Sequence, residues 1–443
     1  MKILSSILAG LLISFTACNI DEIPDPNNPS AGSIEQGAAL SDLQLLVSGI
    51  ESEMRDEMGF YYDVLGIVGR EYYFFTNSDP RYTGEILGKA QSTLDNAGFY
   101  VGRPYAGRYK VVKNANILLK ALENTSASLS QEELNGFIGL AKTAQAYSLL
   151  LVLNMQHSNG IRVDVSDPDN LGPFLSRDAS LAAISTLLDE GNAALNAAGS
   201  TAAFFMSEAF PFIFNGSDPD YIESLKQFNR AIKARVEIYR GNKADALTAL
   251  NDSFFDLAGS LNVGPRHFYS SSGTDLPNLV FRVPNQSEAL VAHPSFVADI
   301  LAGDNRISKV AQRTSTAVLD GLSGDYDVVI YSSLSSFIPI IRNEELILIY
   351  AEANIGTNNN EAVNALNRIR NAHNLPDYSG GLTDAELIDE LLYNRRYSLF
   401  GEAHRWIDMR RFDRLNQLPI DRTGDDVWSE FPRPVDEVGV QGG

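Results

Sequence analysis

Aromatic and polar side chains are crowded together in residues 69–82, which read GREYYFFTNSDPRY. The apolar C–H face of a pyranose packs on an aromatic ring, and its hydroxyls need planar hydrogen-bonding partners such as Asn, Asp or Arg. This mixture favours recognition of a sugar. The alternative is that the alternation in EYYFF buries half of the rings in the core. Within this segment we expect ligand contacts from Glu71, Tyr72, Tyr73, Asn77, Arg81 and Tyr82.

Motifs for catalysis are absent from the sequence. It contains no His-Glu-x-x-His, no Gly-x-Ser-x-Gly, no phosphate-binding glycine loop and no glycine-rich dinucleotide turn. Glu402, Arg405 and Asp408 stand at helical spacing like an acid–base set. Four arginines surround them, however, so a structural salt-bridge network is the better interpretation. We therefore expect no enzymatic activity.

No cofactor or metal site is predicted. The five histidines are scattered without the spacing of metal ligands. The sequence Ser-Asp-Pro-Asp occurs at residues 166–169 and again at 217–220, and it offers clustered oxygens of the kind that calcium prefers. Neither copy has the spacing of a helix–loop–helix calcium site, so we interpret both as turns.

Residues 1–17 are expected to be a lipoprotein signal peptide. Lys2 precedes an apolar run over residues 3–15, and Thr16 and Ala17 lead to Cys18. These features are typical of a secretory signal, and the run is shorter than the roughly 20 residues that span a bilayer. Cys18 is the only cysteine and stands at the predicted cut, which favours its lipidation. The alternative is a plain signal peptide with an incidental cysteine.

Residues 18–33 are expected to form a lipid-anchored tether. Pro24, Pro26 and Pro29 and the scarcity of apolar residues predict an extended segment. Residues 34–443 are then a single domain, long enough for a sizeable core. The chain has a net charge of −21, and losing Lys2 with the signal peptide makes it −22. This charge argues against nucleic acid or an anionic lipid surface as a partner.

Helical periodicity dominates the domain, which predicts a predominantly all-α fold. Pairs of short helices that bury their faces against neighbours describe a tetratricopeptide-like scaffold, expected at about 105–155, 181–257 and 342–412. Long insertions at about 59–107 and 259–339 are rich in Gly, Ser, Pro, Asn and aromatics. We expect them to be irregular, with a few short strands such as Leu279-Val280-Phe281. Long irregular segments inside a compact chain are usually functional.

The C-terminal block is the most specific part of the sequence. It reads RNEELILIYAEAN, EAVNALNRIRNAHNLP and ELIDELLYNRRYSLFGEAHRWIDMRRF, and the chain nearly closes on FPRPVDEV. The order of these motifs resembles the SusD/RagB family of outer-membrane nutrient-binding lipoproteins. The chain departs from the family pattern at Asn394 and Ser398, where glutamates are usual. The residues that match the structural motif are Arg342, Glu345, Glu352, Asn367, Arg370, Arg395, Glu402, Arg405 and Asp408.

The resemblance implies a non-catalytic protein that is lipid-anchored in the cell outer membrane and exposed at the surface. It implies capture of an oligosaccharide and its delivery to a SusC-like TonB-dependent transporter, without a cofactor. Family ligand sites are drawn from loops after the first helix and from the long insertion before the AEA helix. In that insertion, Tyr269 and Tyr331 are the further candidate ligand contacts.

Two other functions remain open from the sequence. One is capture of a peptide by a RagB-like member of the same family, for which the modest aromatic content and the lack of exposed-looking tryptophan are the two arguments. The other is a TPR-like lipoprotein that scaffolds outer-membrane assembly without any small ligand. The long aromatic insertions argue against it, since a scaffold does not need them. Trp406 and Trp428 fall in or after the C-terminal block and are interpreted as structural.

Overall fold

The computed structural model describes residues 37–206 and 221–438. Thirteen α-helices and eight short strands lie within these two ranges. The helices are α1 (Leu40–Arg55), α2 (Met58–Val68), α3 (Phe99–Glu123), α4 (Gln131–Gln156), α5 (Arg177–Asn196), α6 (Tyr221–Arg240), α7 (Lys243–Asn251), α8 (Pro294–Asp299), α9 (Asn343–Asn354), α10 (Asn359–Ala372), α11 (Asp384–Ser398), α12 (Arg405–Arg411) and α13 (Val435–Val438). The strands are β1 (Tyr72–Phe75), β2 (Ile161–Arg162), β3 (Phe174–Leu175), β4 (Arg266–His267), β5 (Ala289–Ala292), β6 (Val310–Leu319), β7 (Leu322–Val328) and β8 (Ile338–Pro339). The predicted, predominantly helical fold is confirmed.

Local capping explains where two of the longer helices begin. At the start of α4, the Ser130 side chain accepts a hydrogen bond from the Glu133 N–H at 3.2 Å, and the Glu133 carboxylate accepts one from the Ser130 N–H at 2.7 Å. Thr383 and Glu386 form the same box before α11, as the sequence predicts. Each box satisfies backbone donors that the first turn leaves without partners.

Consecutive helices pack against one another in a TPR-like series. Contacts run from α3 to α4, from α4 to α5, from α5 to α6 and from α6 to α7, and α9, α10 and α11 pack in the same way. The contact between α7 and α9 joins the two halves of the series. Alanines at these contacts, such as Ala362 and Ala365 of α10, are fully buried and allow the helices to approach closely.

Helix α4 is the central helix of this scaffold. In the described part of the chain it is the one helix long and apolar enough to cross a bilayer, with a mean hydropathy of 1.4. Because 89% of its apolar stretch is buried inside the fold, its hydrophobicity is accounted for by packing in the core.

The insertions are more ordered than the sequence predicts. Residues 58–68 form α2, and the chain then enters a four-stranded antiparallel sheet of order β1-β5-β7-β6. The expected strand at Leu279-Val280-Phe281 is wrong, because these residues form a turn held by the Asn278 side chain, which accepts a hydrogen bond from the Val280 N–H at 2.9 Å. The long hairpin of β6 and β7 lies at the sheet edge and was not expected.

Buried ion pairs tie the C-terminal block to the helical series. Arg342 pairs with Glu402 at 2.9 Å, and Arg395 pairs with Asp408 at 2.7 Å. Three more of the predicted motif residues have partners: Glu345 with Arg235, Glu352 with Arg411, and Arg370 with Glu390. Asn367 instead accepts a hydrogen bond from the Tyr378 N–H at 2.7 Å. Arg405 has no ion pair among the described residues, and burial lowers the pKa of its guanidinium.

Candidate functional site

A cavity of about 220 Å³ lies between helix α2 and the two insertions. Helix α2 contributes one wall, residues 74–82 contribute the base, and the segment before β5 contributes the opposite wall. The pairing of β1 with β5 creates this arrangement, because its register sets Phe75 opposite Ala289 and so brings residue 288 beside residue 76. The lining residues are Gly59, Phe60, Asp63, Phe74, Tyr82, Leu279, Arg282 and Glu288.

The base of the cavity is a cluster of aromatic rings. Phe74 and Tyr82 meet edge to face, with 4.6 Å between ring centroids. Tyr82 lies 5.1 Å from Phe99, which in turn lies 5.7 Å from Phe60. Phe74 and Tyr82 are buried, whereas Phe60 and Phe99 are half-buried. Phe60, Phe74 and Tyr82 line the cavity, and the half-buried ring of Phe60 gives it an apolar surface that a ligand can reach.

Three arginines lie over the rings of this cluster. The Arg282 guanidinium is 4.6 Å from the centroid of Phe74, and that of Arg81 is 4.6 Å from the centroid of Phe99. Arg103 covers Phe60 in the same way at 4.3 Å. The cation–π contacts fix planar groups with several N–H donors at the edge of an apolar surface.

Carboxylates complete the rim. Asp63 of α2 pairs with Arg282 at 3.3 Å, and Asp79 holds Arg81 at 2.6 Å. Glu288 is exposed and accepts a hydrogen bond from the Thr76 hydroxyl at 2.6 Å. Hydrogen-bond donors and acceptors therefore both lie beside aromatic rings, which is a combination that suits a polyhydroxylated ring.

The predicted ligand residues divide into two groups. Tyr82 lines the cavity, Arg81 stacks on its aromatic base, and Asn77 is exposed on the neighbouring loop. Tyr72 and Tyr73 belong to β1, all four residues of which are buried, so neither ring is offered to a ligand. The Tyr72 hydroxyl donates to the carbonyl of Tyr62 at 2.8 Å, as expected of a core residue.

The remaining predicted contacts lie away from the cavity. Glu71 is 2% exposed and accepts a hydrogen bond from the Gly401 N–H at 3.2 Å. Tyr269 is 3% exposed, and its hydroxyl donates to the carbonyl of Arg55 at 3.2 Å. Tyr331 is half-buried and packs against the main core. Glu71 and Tyr269 are thus core residues, and Tyr331 packs against the core. The ligand contacts expected of these three residues stay predictions.

Sequence reasoning did not single out Phe60, Asp63, Arg282 or Glu288. One local signal was present, because Asp63 is the only charge in the otherwise apolar helix α2. A buried carboxylate in such a helix needs a specific partner. Phe60 belongs to α2 itself, whereas Arg282 and Glu288 are brought to α2 by the strand pairing, a contact that no local sequence pattern indicates.

Two larger hollows lie elsewhere on the surface. One, of about 320 Å³, is formed by one face of α1 together with Phe205 and Phe268. The other, of about 390 Å³, lies between α5, α6 and α7 and is lined by amide and charged side chains without an aromatic ring. Neither of these two hollows is lined by a residue of the predicted 69–82 segment. The α2 cavity is therefore the candidate site, since it alone of the three combines that segment with the second insertion.

No cluster of three or more His, Cys, Asp or Glu residues in the described ranges has the geometry of a metal site. In residues 166–169 the side chain of Asp167 accepts a hydrogen bond from the Asp169 N–H at 3.0 Å, as in a turn. The second copy, 217–220, and the predicted lipidation site at Cys18 lie outside the described residues.

Comparison with known proteins bears on the C-terminal block and on the fold. Residues 331–434 match the model of the SusD family. Among curated proteins, no sequence matches the chain. The fold is similar to a SusD superfamily protein from Bacteroides vulgatus ATCC 8482, with a TM-score of 0.66 and 16% identity over 90% of this chain and 96% of that one.

Two further solved structures have names that state a ligand. A SusD-like carbohydrate binding protein from Bacteroides vulgatus ATCC 8482 has a TM-score of 0.61 and 16% identity, covering 84% of this chain and 83% of that one. A laminarin binding SusD-like protein has a TM-score of 0.60 and 16% identity, covering 90% of this chain and 96% of that one. These likenesses extend the SusD-like fold from the C-terminal block to most of the chain.

The match over residues 331–434 contains the motif that the sequence showed, and the surrounding helical series has the SusD-like arrangement. The binding proteins of this family are non-catalytic, in agreement with the absence of catalytic motifs from the sequence. Residues 331–434 therefore match the SusD family, and the chain has a SusD-like fold over most of its length.

Proposed function

We propose that this protein is a lipid-anchored, glycan-binding protein of the outer membrane that binds an oligosaccharide in the α2 cavity and passes it to a SusC-like TonB-dependent transporter. The observation that carries the proposal is the cavity itself, in which the half-buried ring of Phe60 lies beside Arg282 and two carboxylates, Asp63 and Glu288. It combines an apolar surface with hydrogen-bonding groups of both kinds.

The size of the cavity fits one part of a longer ligand. Its volume of about 220 Å³ lies below the 300–1,000 Å³ typical of sites that enclose a whole drug-sized molecule. One sugar ring would occupy it, and the rest of an oligosaccharide would extend across the exposed loop that contains Asn77. Shallow binding of this kind suits a protein that has to release its cargo.

Similarity to the SusD family supports the remaining parts of the proposal. SusD family proteins are outer-membrane surface lipoproteins, and the sequence has a signal of the right form before Cys18. Two solved proteins of the same fold are named for carbohydrate or laminarin binding. Delivery to a SusC-like transporter follows from the family and not from any contact within this chain.

Isothermal titration calorimetry of the mature chain, residues 18–443 with Cys18→Ser, tests the proposal. The chain would be titrated with neutral and acidic oligosaccharides and, separately, with peptides of mixed composition. We expect saturable binding of at least one oligosaccharide, with the ligand recovered intact after incubation. Binding of peptides alone would contradict a glycan cargo, and cleavage of the oligosaccharide would contradict a non-catalytic role.

A further inference from the structure

Asp63 has an unusual position at the wall of the cavity. It is 2% exposed and belongs to α2, and one of its carboxylate oxygens, Oδ2, faces the Arg282 guanidinium at 3.3 Å. The other oxygen, Oδ1, is buried and has no hydrogen bond partner among the described residues. A buried acceptor without a donor is costly, and native structures rarely contain one unless a ligand or water satisfies it.

Of the two carboxylates that line the cavity, Asp63 is the one with a buried oxygen that lacks a partner among the described residues. Helix α2 contributes no other charge, as its remaining residues are apolar or aromatic. From β1, the Tyr72 hydroxyl already donates to Tyr62. From the following turn, Tyr82 lines the cavity, and its hydroxyl has no hydrogen bond to any described residue. Arg282 and Glu288, on the opposite wall, are the charged groups that share the cavity with Asp63.

Arg282 cannot satisfy both oxygens of Asp63. One of its terminal nitrogens points to the carbonyls of Leu279 and Phe281, and the other reaches only Oδ2. Arg81 and Arg103 lie outside the lining and are paired with Asp79 and Glu57. The lining itself carries the carboxylates of Asp63 and Glu288 and the single guanidinium of Arg282, which gives it a net negative charge. A carboxylate on a ligand would be repelled here, whereas a neutral hydroxyl would find an acceptor.

We propose that Asp63 is the specificity-determining residue of the cavity: its free oxygen accepts a hydrogen bond from a hydroxyl of a neutral sugar, and its charge excludes sugars that carry a carboxylate at that position. This inference rests on the proposed function and assigns the ligand class of the same site. The hydroxyl keeps its proton and no bond is broken, so the interaction is one of recognition only.

Proton binding by Asp63 gives the proposal a second readout. Burial raises the pKa of Asp63 to about 6, although the charge of Arg282 lowers it. The ionised carboxylate accepts a hydrogen bond from the ligand, and protonation removes both its charge and one acceptor oxygen. Affinity for a neutral ligand is therefore expected to be highest above pH 6 and to fall as the pH drops through about 6.

The test compares the 18–443 chain with its Asp63→Asn variant, using calorimetry with neutral hexose oligosaccharides and oligogalacturonides of equal length. Asp178→Asn, on the exposed face of α5, is the control for loss of one negative charge. We expect Asp63→Asn to weaken binding of the neutral oligosaccharide about tenfold. The ratio of its affinities for the neutral oligosaccharide and the oligogalacturonide should become smaller than in the wild type. The fall in affinity below pH 6 should disappear. The control should behave as the wild type.

The outcomes separate this inference from the proposed function. If neutral oligosaccharides bind, but Asp63→Asn changes neither affinity nor discrimination, the role of Asp63 is overturned and the glycan function stands. A wild-type affinity that does not change between pH 5 and 7 also overturns it, and this measurement needs no variant to fold. If no oligosaccharide binds the wild-type chain, the proposed function and the role of Asp63 both fail.

Discussion

Arg235 of α6 and Glu345 of α9 form a buried bidentate ion pair that joins the two halves of the helical series. The Nε of Arg235 donates to Oε1 of Glu345 at 2.6 Å, and its Nη2 donates to Oε2 at 2.6 Å. The second nitrogen also donates to the carbonyl of Ile340 at 2.9 Å. Burial alone would raise the pKa of Glu345, but the charges of Arg235 and His404 lower it below its usual range.

Removal of one partner of this pair should be strongly destabilising. Arg235→Met leaves the Glu345 carboxylate buried without its counter-charge, and we expect a loss of about 3–5 kcal/mol in the free energy of unfolding, measured with urea. The double variant Arg235→Met with Glu345→Met should recover part of that loss. Asp178→Asn breaks an exposed pair with Arg177 and should cost under about 1 kcal/mol. Equal losses in the free energy of unfolding for Arg235→Met and Asp178→Asn would show that burial does not determine how much an ion pair contributes to stability.

Glu71 is predicted to respond to pH in the opposite direction from an ordinary paired carboxylate. Its folded-state pKa is raised, because burial outweighs the Gly401 N–H and the charge of Arg405. A raised pKa means that the folded protein binds the proton more tightly than the unfolded chain does. Stability is therefore full below the ordinary pKa of about 4.3 and declines as the pH rises through the folded pKa.

Glu71→Gln should remove this decline while the side-chain oxygen still accepts from Gly401. We expect the variant to gain stability relative to the wild type as the pH rises above about 4.3, by about 1.4 kcal/mol for each unit of pKa shift removed. Urea unfolding at pH 4 and pH 8 measures the effect. Because Glu71 lies outside the cavity, the affinity of the Glu71→Gln variant for the oligosaccharide should equal that of the wild type. A loss of affinity at unchanged stability would return Glu71 to the ligand site.

The close packing of the Tyr72 ring of β1 against Gly66 of α2 is predicted to be essential for stability. A Cβ added to Gly66 would lie 2.2 Å from Cζ of Tyr72, whose ring is fully buried. Gly66→Ala should therefore lower the free energy of unfolding by about 1–3 kcal/mol or more. Gly102→Ala, in α3, meets no atom within 4 Å and should be neutral or stabilising by about 0.5–1 kcal/mol. Similar melting temperatures for the two variants would contradict this packing.

Membrane attachment is predicted to depend on Cys18 alone. If the cysteine is lipidated after the signal peptide is removed, Cys18→Ala should release the protein from outer-membrane fractions into the soluble fraction. Fractionation followed by immunoblotting measures this, and accessibility of the wild type to protease on intact cells reports its exposure at the surface. Retention of Cys18→Ala in the membrane would require another means of attachment.

Helix positions were largely predictable, because local hydrophobic periodicity and capping residues determine them. The Thr383 and Glu386 box stands at the start of α11, and the helical range predicted to end at about 155 ends with α4 at Gln156. An exception is α3, which begins at Phe99 and runs through Pro104, whereas the sequence favoured a start at about 105. Local patterns do not show whether neighbouring contacts offset a proline within the first turns of a helix.

The site was less predictable, since its parts are brought together by pairing of distant strands. The run EYYFF was interpreted as alternating between ligand and core, but all four residues of β1 are buried, with β5 beside the strand and α2 packed against it. A strand buried on both sides reads as continuously apolar, and aromatic residues fit that pattern equally well. Arg282 and Glu288 lie about 220 residues from α2 in sequence, so only the fold identifies them as its partners.

Departures from the family pattern at Asn394 and Ser398 have a local explanation. Both accept hydrogen bonds from Nη1 of Arg306, Asn394 at 3.2 Å and Ser398 at 2.9 Å. The charge of Arg306 is met by Asp304 at 2.6 Å. Neutral acceptors therefore suffice at these two positions, because the Arg306 guanidinium already has its carboxylate.

The most direct test of glycan binding in the α2 cavity is calorimetric titration of one oligosaccharide into two variants that each remove a phenylalanine ring. Phe60→Ala removes a half-buried ring from the base of the cavity, and Phe205→Ala removes a ring that is 76% exposed elsewhere on the surface. We predict that Phe60→Ala weakens binding about tenfold, or roughly 1.4 kcal/mol, and that Phe205→Ala binds as the wild type does. Unchanged affinity in Phe60→Ala, or a loss confined to Phe205→Ala, would contradict the assignment of the site.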